Sequence, residues 1–580
     1  MKRRVFLSAV TGGLLAAPLA AEAEQRLGRR RFFRQCALIA TIPLLVFVLH
    51  VTLFGTWIYD DAGISFAYAR NLATGHGLVS QPGASRVEGY SDFLWVLLMS
   101  ALIRIGLFHV VWTPKILACV LIAASFLIVS NTLARAASWG SGVAAGALTL
   151  VALQPGFAIW SISGLENPLY VFLLCLLVPG VTRLLTDSNL SWKTAAFMGL
   201  TVAGVAATRP DGVIYLALVP VTILARAWMS RDLRSWLGAF VVHGTVAATL
   251  MGALVGFRWQ YFHDMFPNTY YVKGGPTLEN IQSIVWLLPG PMLKIRGLAV
   301  AVAGERGATW LLVLVVAGTI FLVRIRQFRP ILAVLALFSA FAGVVYLLLP
   351  SDRLGEYRFA SPFFVFFYGY LVTLAWSLCA ITTRPHTARR TFAIVLVLLI
   401  IGTLHQTARR SVAYARNAPV PLEFVAEMFG HRYNRVAAAL GLEAASLLVP
   451  DMGGTLLYSK LTVFDLGGLC DRTIARTMGK DQRAFHDYVF AHLRPTFIHV
   501  HDNWTEEADF DRDERFRRDY VPIEEHMIYE LGATRATLWG DFIRRDVLRG
   551  PVEPLAAILA GEIDAPRDAP GSSSCCRRIR

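Results

Sequence analysis

Long apolar blocks separated by short polar punctuation run from about residue 37 to about residue 410 of this chain. They fall at 37–57, 114–134, 141–160, 167–182, 194–208, 213–227, 237–257, 309–325, 330–349, 362–380 and 392–408. A helix needs about 20 consecutive apolar residues to cross the hydrocarbon core of a bilayer. The pattern therefore predicts about eleven transmembrane helices. A further apolar block, 93–108, is short and carries Arg104; it reads as an amphipathic or re-entrant piece rather than a span.

Past residue 411 the pattern changes to that of an ordinary soluble region. Val425–Leu440 has helical spacing, and Ser446–Val449, Thr462–Asp465 and Thr496–His501 read as short strands. Asp451-Met452-Gly453-Gly454 and Asp465-Leu466-Gly467-Gly468 read as turns. The expected fold class is mainly α: a polytopic membrane domain over 26–410 and a small C-terminal α/β domain over 411–565. Residues 566–580 form a polar tail expected to be disordered. Residues 1–25, with Arg3-Arg4 ahead of a small apolar run, resemble a twin-arginine export signal or are an N-terminal extension.

Composition supports this division. Of the 580 residues 55% are hydrophobic and only 16% are charged, with a mean hydropathy of +0.51. A soluble chain of this length carries about a quarter charged residues. The net charge of +15 is no nucleic-acid footprint, because the basic residues sit in short clusters between apolar blocks. Five of the seven cysteines, Cys36, Cys119, Cys175, Cys379 and Cys470, stand alone, and Cys575-Cys576 lie in the tail; no spacing suits a metal. His499 and His501 alternate on a predicted strand but lack a third ligand in the sequence.

Charge also predicts orientation. With Arg26, Arg29, Arg30, Arg31 and Arg34 in the cytoplasm, eleven spans place Arg135, Arg183 with Lys193, Arg226 with Arg231 and Arg234, Arg324 with Arg326 and Arg329, and Arg384 with Arg389 and Arg390 on the inner side. Counting 93–108 as a span would reverse most of them. The C-terminal domain then lies outside, together with Asp60-Asp61, the Glu88 loop, Glu166, the Arg209–Asp211 turn, the segment 258–308 and the segment 352–358.

These outer segments hold the candidate chemistry. Asp60 and Asp61 start a segment with helical spacing, so one can cap a helix while the other acts as a base. Arg86 and Glu88 share a loop, where they form a salt bridge or hold sugar hydroxyls. Glu166 stands where a span begins, and Arg209 stands beside Asp211 at membrane depth, where ionised groups are costly unless paired or used. Asn268 lies in an aromatic segment after a span, and Lys273 and Arg258 flank it as interfacial cations or phosphate contacts. Arg358, at the start of a late span, is the best phosphate ligand, since a guanidinium binds phosphate through two parallel bonds. There is no Walker loop and no GxGxxG with a following acid in a βαβ unit, so nucleotide-sugar chemistry and ATP-driven pumping have no home.

Seven motifs occur in order: Tyr59-Asp60-Asp61-Ala62, Ala69-Arg70-Asn71-Leu72-Ala73-x-Gly75-x-Gly77, Arg86-Val87-Glu88-Gly89-Tyr90, Ser163-Gly164-Leu165-Glu166, Thr208-Arg209-Pro210-Asp211-Gly212, Pro267-Asn268-Thr269-Tyr270-Tyr271-x-Lys273 and Tyr357-Arg358-Phe359. The set resembles GT-C glycosyltransferases close to the terminal arabinofuranosyltransferases of actinobacterial cell walls, over about residues 37–470. Two positions depart from that pattern: Asp211 stands where Glu is more usual, and Asp352-Arg353 replaces a Gly-Asp-Trp segment.

The resemblance implies a multi-pass protein of the bacterial inner membrane with its active site on the outer, periplasmic face. It implies a polyprenyl-phosphate sugar donor, arabinofuranose by likeness, and a glycan or lipid-glycan acceptor, among membrane lipids and without nucleic acid. Asp60 or Asp61 would be the base; Arg358, Arg209 and Lys273 would hold the donor phosphate. Arg86, Glu88, Glu166, Asp211 and Asn268 would hold sugar or acceptor. No metal ligand set and no required cofactor is implied, although a divalent cation is compatible with the chemistry. The alternatives are transfer of a hexose or uronic acid to lipopolysaccharide or a surface polysaccharide, and a carrier or flippase for a lipid-linked sugar. A carrier should show broken helices with ionisable groups at mid-membrane, often in repeated halves; here the polar groups lie toward one face.

Overall fold

In the computed structural model the described residues are 36–136, 140–187, 189–274, 278–286, 288–322, 329–350, 355–382, 384–528 and 537–561. The possible export signal, the basic segment before residue 36, Arg324, Arg326, Asp352, Arg353 and the C-terminal tail lie outside them.

Among the described residues nine helices are long and apolar enough to span a membrane: Cys36–Phe54, Trp112–Arg135, Asn167–Thr186, Pro210–Ser230, Arg234–Phe262, Pro289–Ile320, Pro330–Leu348, Arg358–Ile381 and Pro385–Arg416. A tenth is a broken pair, Gly140–Leu153 and Pro155–Ser161, bent by 70°. Proline at the first position of the second half cannot continue the preceding hydrogen-bond ladder. The block expected at 194–208 is the helix Trp192–Thr208, only 17 residues long, whose start is capped by Ser191 accepting the Thr194 N–H. The chain is a multi-pass membrane protein.

The helices sort their faces as a lipid-embedded bundle requires. On Cys36–Phe54, Leu38, Ile42, Leu45 and Leu49 form an exposed stripe, while Cys36, Ala40, Phe47 and Phe54 are buried. The central span, Arg358–Ile381, buries Phe364, Val365, Tyr368, Leu371 and Val372. The block 93–108 is the short helix Phe93–Arg104, 12 residues long.

The segment expected as one outer loop, 258–308, is instead largely helical. Arg234–Phe262 runs through Arg258 because Glu88 neutralises that guanidinium. Pro289–Ile320 begins well before the apolar run seen in the sequence, and Gly304, at φ 72°, bends it where Glu305 pairs with Arg296 at 3.0 Å.

The C-terminal region holds a five-stranded sheet in the order β2-β1-β3-β5-β4. β1 (Ser446–Val449) is parallel to β2 (Thr462–Asp465) and to β3 (Phe497–Val500), and β3 is antiparallel to β5 (Thr537–Arg544), which pairs with β4 (Tyr520–Ile528). The first three strands stand where hydrophobic alternation put them. The antiparallel pair escaped that reading, since β4 carries Glu524, Glu525 and His526 in succession and shows no clean alternation.

Helix Asp60–Ala73 docks this region onto the bundle by gripping helix Gly453–Tyr458 at both ends. At the N-terminal end the Asp60 carboxylate accepts the N–H groups of Gly453 and Gly454, at 2.9 and 2.7 Å. At the other end Arg70 donates to the carbonyls of Leu456 and Leu457, both at 2.9 Å. A carboxyl at the start and a guanidinium at the end satisfy the free N–H and C=O groups of the gripped helix. Between them Gly63 lets the two backbones touch: a Cβ there would lie 2.6 Å from the carbonyl carbon of Gly453.

Candidate active site

Where the bundle meets the C-terminal region, a cavity is lined by Asp61, Ser65, Tyr90, Asp92, Glu166, Thr269, Lys273, Arg358 and their neighbours. Five motifs found in the sequence converge there: the acid pair, the segment around Glu88, the Glu166 turn, the segment from Asn268 to Lys273 and the late-span arginine.

Asp61 directly follows the docking residue Asp60, and its side chain is 32% exposed. Its Oδ2 lies 3.5 Å from Nη1 of Arg358, whose side chain is only 10% exposed. The Arg358 guanidinium sits 5.8 Å from the ring centre of Tyr59 and 5.5 Å from those of Trp160 and Phe359. Such an aromatic cage suits a delocalised guanidinium, which stacks and is weakly hydrated. The chain reaches Arg358 through three consecutive positive φ angles, at Gly355, Glu356 and Tyr357. That turn is held from both sides: Arg410 binds Glu356 through two bonds of 2.6 and 3.2 Å, and Asn167 donates to the Arg358 carbonyl at 3.0 Å.

Asp92 is the acid that sequence reasoning missed. It occupies the position before helix Phe93–Arg104, where an aspartate reads as an ordinary cap, yet its side chain caps nothing. Instead both oxygens accept from the Ser65 hydroxyl, at 2.9 and 2.8 Å. Burial first, then the nearby Glu166 charge, push its carboxyl up to about 7. Ser65 lies one helical turn after Asp61, so one helix presents both groups to the cavity. An aspartate two residues after the Glu88 motif was the only signal available in the sequence.

The other expected residues separate into two groups. Lys273, exposed, lines the cavity with Arg358, as does Glu166. Asp60, Arg86, Glu88, Arg209, Asp211 and Asn268 stand outside its lining. Asp60 is buried and committed to Gly453 and Gly454; burial above all, with the Asp451 charge, holds it well above the usual carboxylate range against the pull of those two N–H groups.

Arg209 donates to Glu166 at 2.6 Å and to Asp211 at 3.0 Å. Two carboxylates already compensate it, so it orients Glu166 rather than offering an open phosphate site. Glu88 is bound by Arg258 through two bonds of 2.8 and 3.0 Å, not by Arg86, which stacks on Tyr261 at 4.7 Å. Arg258 is thereby engaged as well. Asn268 donates to the carbonyls of Gly468, Leu469 and Asp471, at 2.7, 3.0 and 3.2 Å, and so pins the C-terminal region over the cavity. Among the described residues no group of three or more His, Cys, Asp or Glu side chains is arranged to hold a metal ion.

The cavity thus offers a partly exposed carboxylate beside a caged guanidinium, a second carboxyl poised near neutrality and an ammonium at its rim. That combination can take a proton from a hydroxyl and stabilise a departing phosphate.

No family model matches the sequence, and no curated protein does. Solved structures match in fold. The structure of ArnT from Cupriavidus metallidurans bound to undecaprenyl phosphate is 12% identical, with a TM-score of 0.51 over 89% of this chain and 98% of that one. The apo state of the same protein is 14% identical, with a TM-score of 0.50 and the same coverage. The archaeal oligosaccharyltransferase AglB from Archaeoglobus fulgidus, in complex with an inhibitory peptide and a dolichol-phosphate, is 11% identical, with a TM-score of 0.46 over 80% of this chain and 69% of that one. The likeness to ArnT is one of fold: a polytopic GT-C-like helical domain followed by a small C-terminal region.

Proposed function

We propose that this chain is a membrane glycosyltransferase that moves a sugar from a polyprenyl-phosphate donor to an extracytoplasmic glycan or lipid-glycan acceptor. The observation that carries the reading is the 3.5 Å pairing of Asp61 with the ring-caged Arg358 in a cavity where bundle and C-terminal region meet. The ArnT structure that shares this fold has undecaprenyl phosphate bound, which supports a lipid phosphate as the donor's leaving group here. The order of the seven motifs supports arabinofuranose as the sugar and a bacterial inner membrane, with the cavity on its outer face.

In this mechanism the acceptor hydroxyl gives its proton to Asp61 as its oxygen bonds to the anomeric carbon. The bond from that carbon to the phosphate oxygen breaks through an oxocarbenium-like state. Arg358 and Lys273 neutralise the departing phosphate, and the prenyl chain lies along the apolar spans. Glu166, held by Arg209, and Asp92, held by Ser65, hydrogen-bond sugar hydroxyls; Asp92 can donate or accept near neutral pH. Of the acid pair, Asp61 is the base, while Asp60 secures the C-terminal region.

The test is transfer of radiolabelled sugar from a panel of polyprenyl-phosphate sugars to a membrane glycan, with purified wild type and Asp61→Asn. Transfer by wild type alone is expected. Equal transfer by the variant, or movement of lipid-linked sugar across vesicles without product, would overturn the reading.

A further inference from the structure

The two histidines of the C-terminal sheet belong to a continuous polar chain that the catalytic reading leaves unused. β3 and β5 pair His499 directly opposite Asp541, and His499 Nδ1 lies 2.6 Å from Asp541 Oδ1. Tyr433 donates its hydroxyl to the same oxygen. His499 Nε2 lies 3.1 Å from His501 Nδ1, and His501 Nε2 faces Asp451 Oδ2 at 3.4 Å. Phe429 packs over both imidazoles, its ring centre 4.5 Å from that of His499 and 6.3 Å from that of His501.

The far end of this chain reaches the helix Gly453–Tyr458 that Asp60 grips. Asp451 lies two residues before Gly453, whose N–H binds Asp60. The chain therefore joins the sheet to the acid pair through one short turn.

Proton placement along the chain is constrained. Each contact along the chain needs one donor and one acceptor, and each ring nitrogen is one or the other. In one arrangement Asp451 is a neutral acid donating to His501 Nε2, His501 Nδ1–H donates to His499 Nε2, and His499 Nδ1–H donates to the Asp541 carboxylate. In the other, Asp451 is a carboxylate, His501 carries its proton on Nε2, and His499 is an imidazolium donating to both His501 and Asp541. The two differ by breaking O–H at Asp451 and N–H at His501 Nδ1 while forming N–H at His501 Nε2 and at His499 Nε2. The 3.4 Å contact between His501 and Asp451 has to close to a hydrogen bond for the step, while the other links already stand at 2.6 and 3.1 Å. Without that proton, two lone pairs, or a lone pair and a carboxylate, face each other at one link.

We infer that Asp451, His501, His499 and Asp541 form a proton relay holding one shared proton, so that the charge of Asp451 beside the acid pair follows where that proton sits. Its catalytic meaning rests on the proposed transferase reading: a carboxylate at Asp451 favours proton uptake by the neighbouring acids, and a neutral acid does not. The surroundings agree. Burial pushes Asp451 up to about 6, with His499 opposing and the Asp61 and Asp502 charges adding to it. Burial, then His499, push His501 down to about 3, against the pull of Asp541, so His501 conducts the proton and does not store it. Among the described residues Asp502 also faces the chain, 3.8 Å from His501, and the Glu524 charge acts on Tyr433 at its other end. These residues are positioning residues, acting through the acid pair.

The experiment is nitrogen NMR of the imidazoles in the full-length, histidine-labelled protein from about pH 5 to about pH 8, the range in which histidines exchange protons. Wild type, Asp451→Asn and His501→Gln are compared, alongside transfer kinetics. An asparagine donates to His501 permanently, and a glutamine bridges without passing a proton. The expected result is that the His499 and His501 nitrogen signals change together in wild type and do so in neither variant, with a kcat about tenfold lower and an unchanged donor KM. Nitrogen signals of the two histidines that change independently, with those of His499 the same in wild type and both variants, would overturn the relay. A wild type that shows the coupled change of nitrogen signals but transfers from no donor would uphold the relay and overturn the transferase reading.

Discussion

Gly454 donates its backbone N–H to Asp60 Oδ1 at 2.7 Å. With the matching bond from Gly453 to Oδ2, this makes Asp60 the clasp between membrane bundle and C-terminal sheet, and leaves its neighbour Asp61 to face the cavity. Two adjacent carboxylates thus have separate tasks, decided by the helix that each one meets.

Substitution of the pair should separate those tasks. Asp60→Ala leaves two buried N–H groups without acceptors, at about 1–3 kcal/mol each. The expected outcome is a lower melting temperature in detergent and faster proteolysis of the C-terminal region, with transfer lost as a consequence. Asp61→Asn is expected to melt as wild type does while transfer falls about 10²–10⁴-fold, the usual worth of a general base. Thermal unfolding and transfer rate, measured on both variants, check the contrast.

Arg358→Lys keeps the charge but loses the planar group that three rings enclose. Transfer is expected to fall by about tenfold or more, a loss consistent with one missing charge-assisted bond to the phosphate. Lys273→Arg, at the exposed rim, is expected to stay within about threefold of wild type, since a cation remains there. Steady-state kinetics against donor concentration distinguish the two.

Asp92 makes stability depend on pH. Its carboxyl is raised from 3.8 to about 7 in the folded protein, so the folded state binds more protons than the unfolded state between those values. Stability from this group is present below pH 3.8 and is lost as pH rises through about 7. The melting temperature of wild type should therefore fall over that interval, and the slope should be shallower in Asp92→Asn, where no proton is exchanged.

Gly63→Ala places a methyl 2.6 Å from the Gly453 backbone, which cannot swing aside as a side chain would. A loss of about 1–3 kcal/mol is expected for such overpacking. It should appear as separation of the C-terminal region, read by protease accessibility near residue 420, with the transmembrane helices still inserted.

Much of this protein was legible in the order of its residues. Hydrophobic periodicity is a local property: a stripe such as Leu38, Ile42, Leu45 and Leu49 depends on a few neighbouring positions, so the apolar blocks and the three first strands could be read directly, while the 70° break at Pro155 inside the block 141–160 was not read. The acid pair, Glu166, Lys273 and Arg358 were marked by polar groups at membrane ends, where they are costly to keep. Which of these groups meet is a different kind of fact. Arg209 finds Glu166 43 residues away, Arg258 finds Glu88 170 away, and Gly454 finds Asp60 394 away. Each pairing removes a candidate from the cavity, and none leaves a mark in the local pattern. Asp92 was hidden for the same reason, because an aspartate before a helix looks like a cap until the tertiary structure brings Ser65 and Glu166 against it. Sequence alone determined the membrane architecture and the pool of ionisable groups. Packing between distant segments decided which of them neutralise one another and which remain to do chemistry, because charge compensation depends on distance in space rather than along the chain.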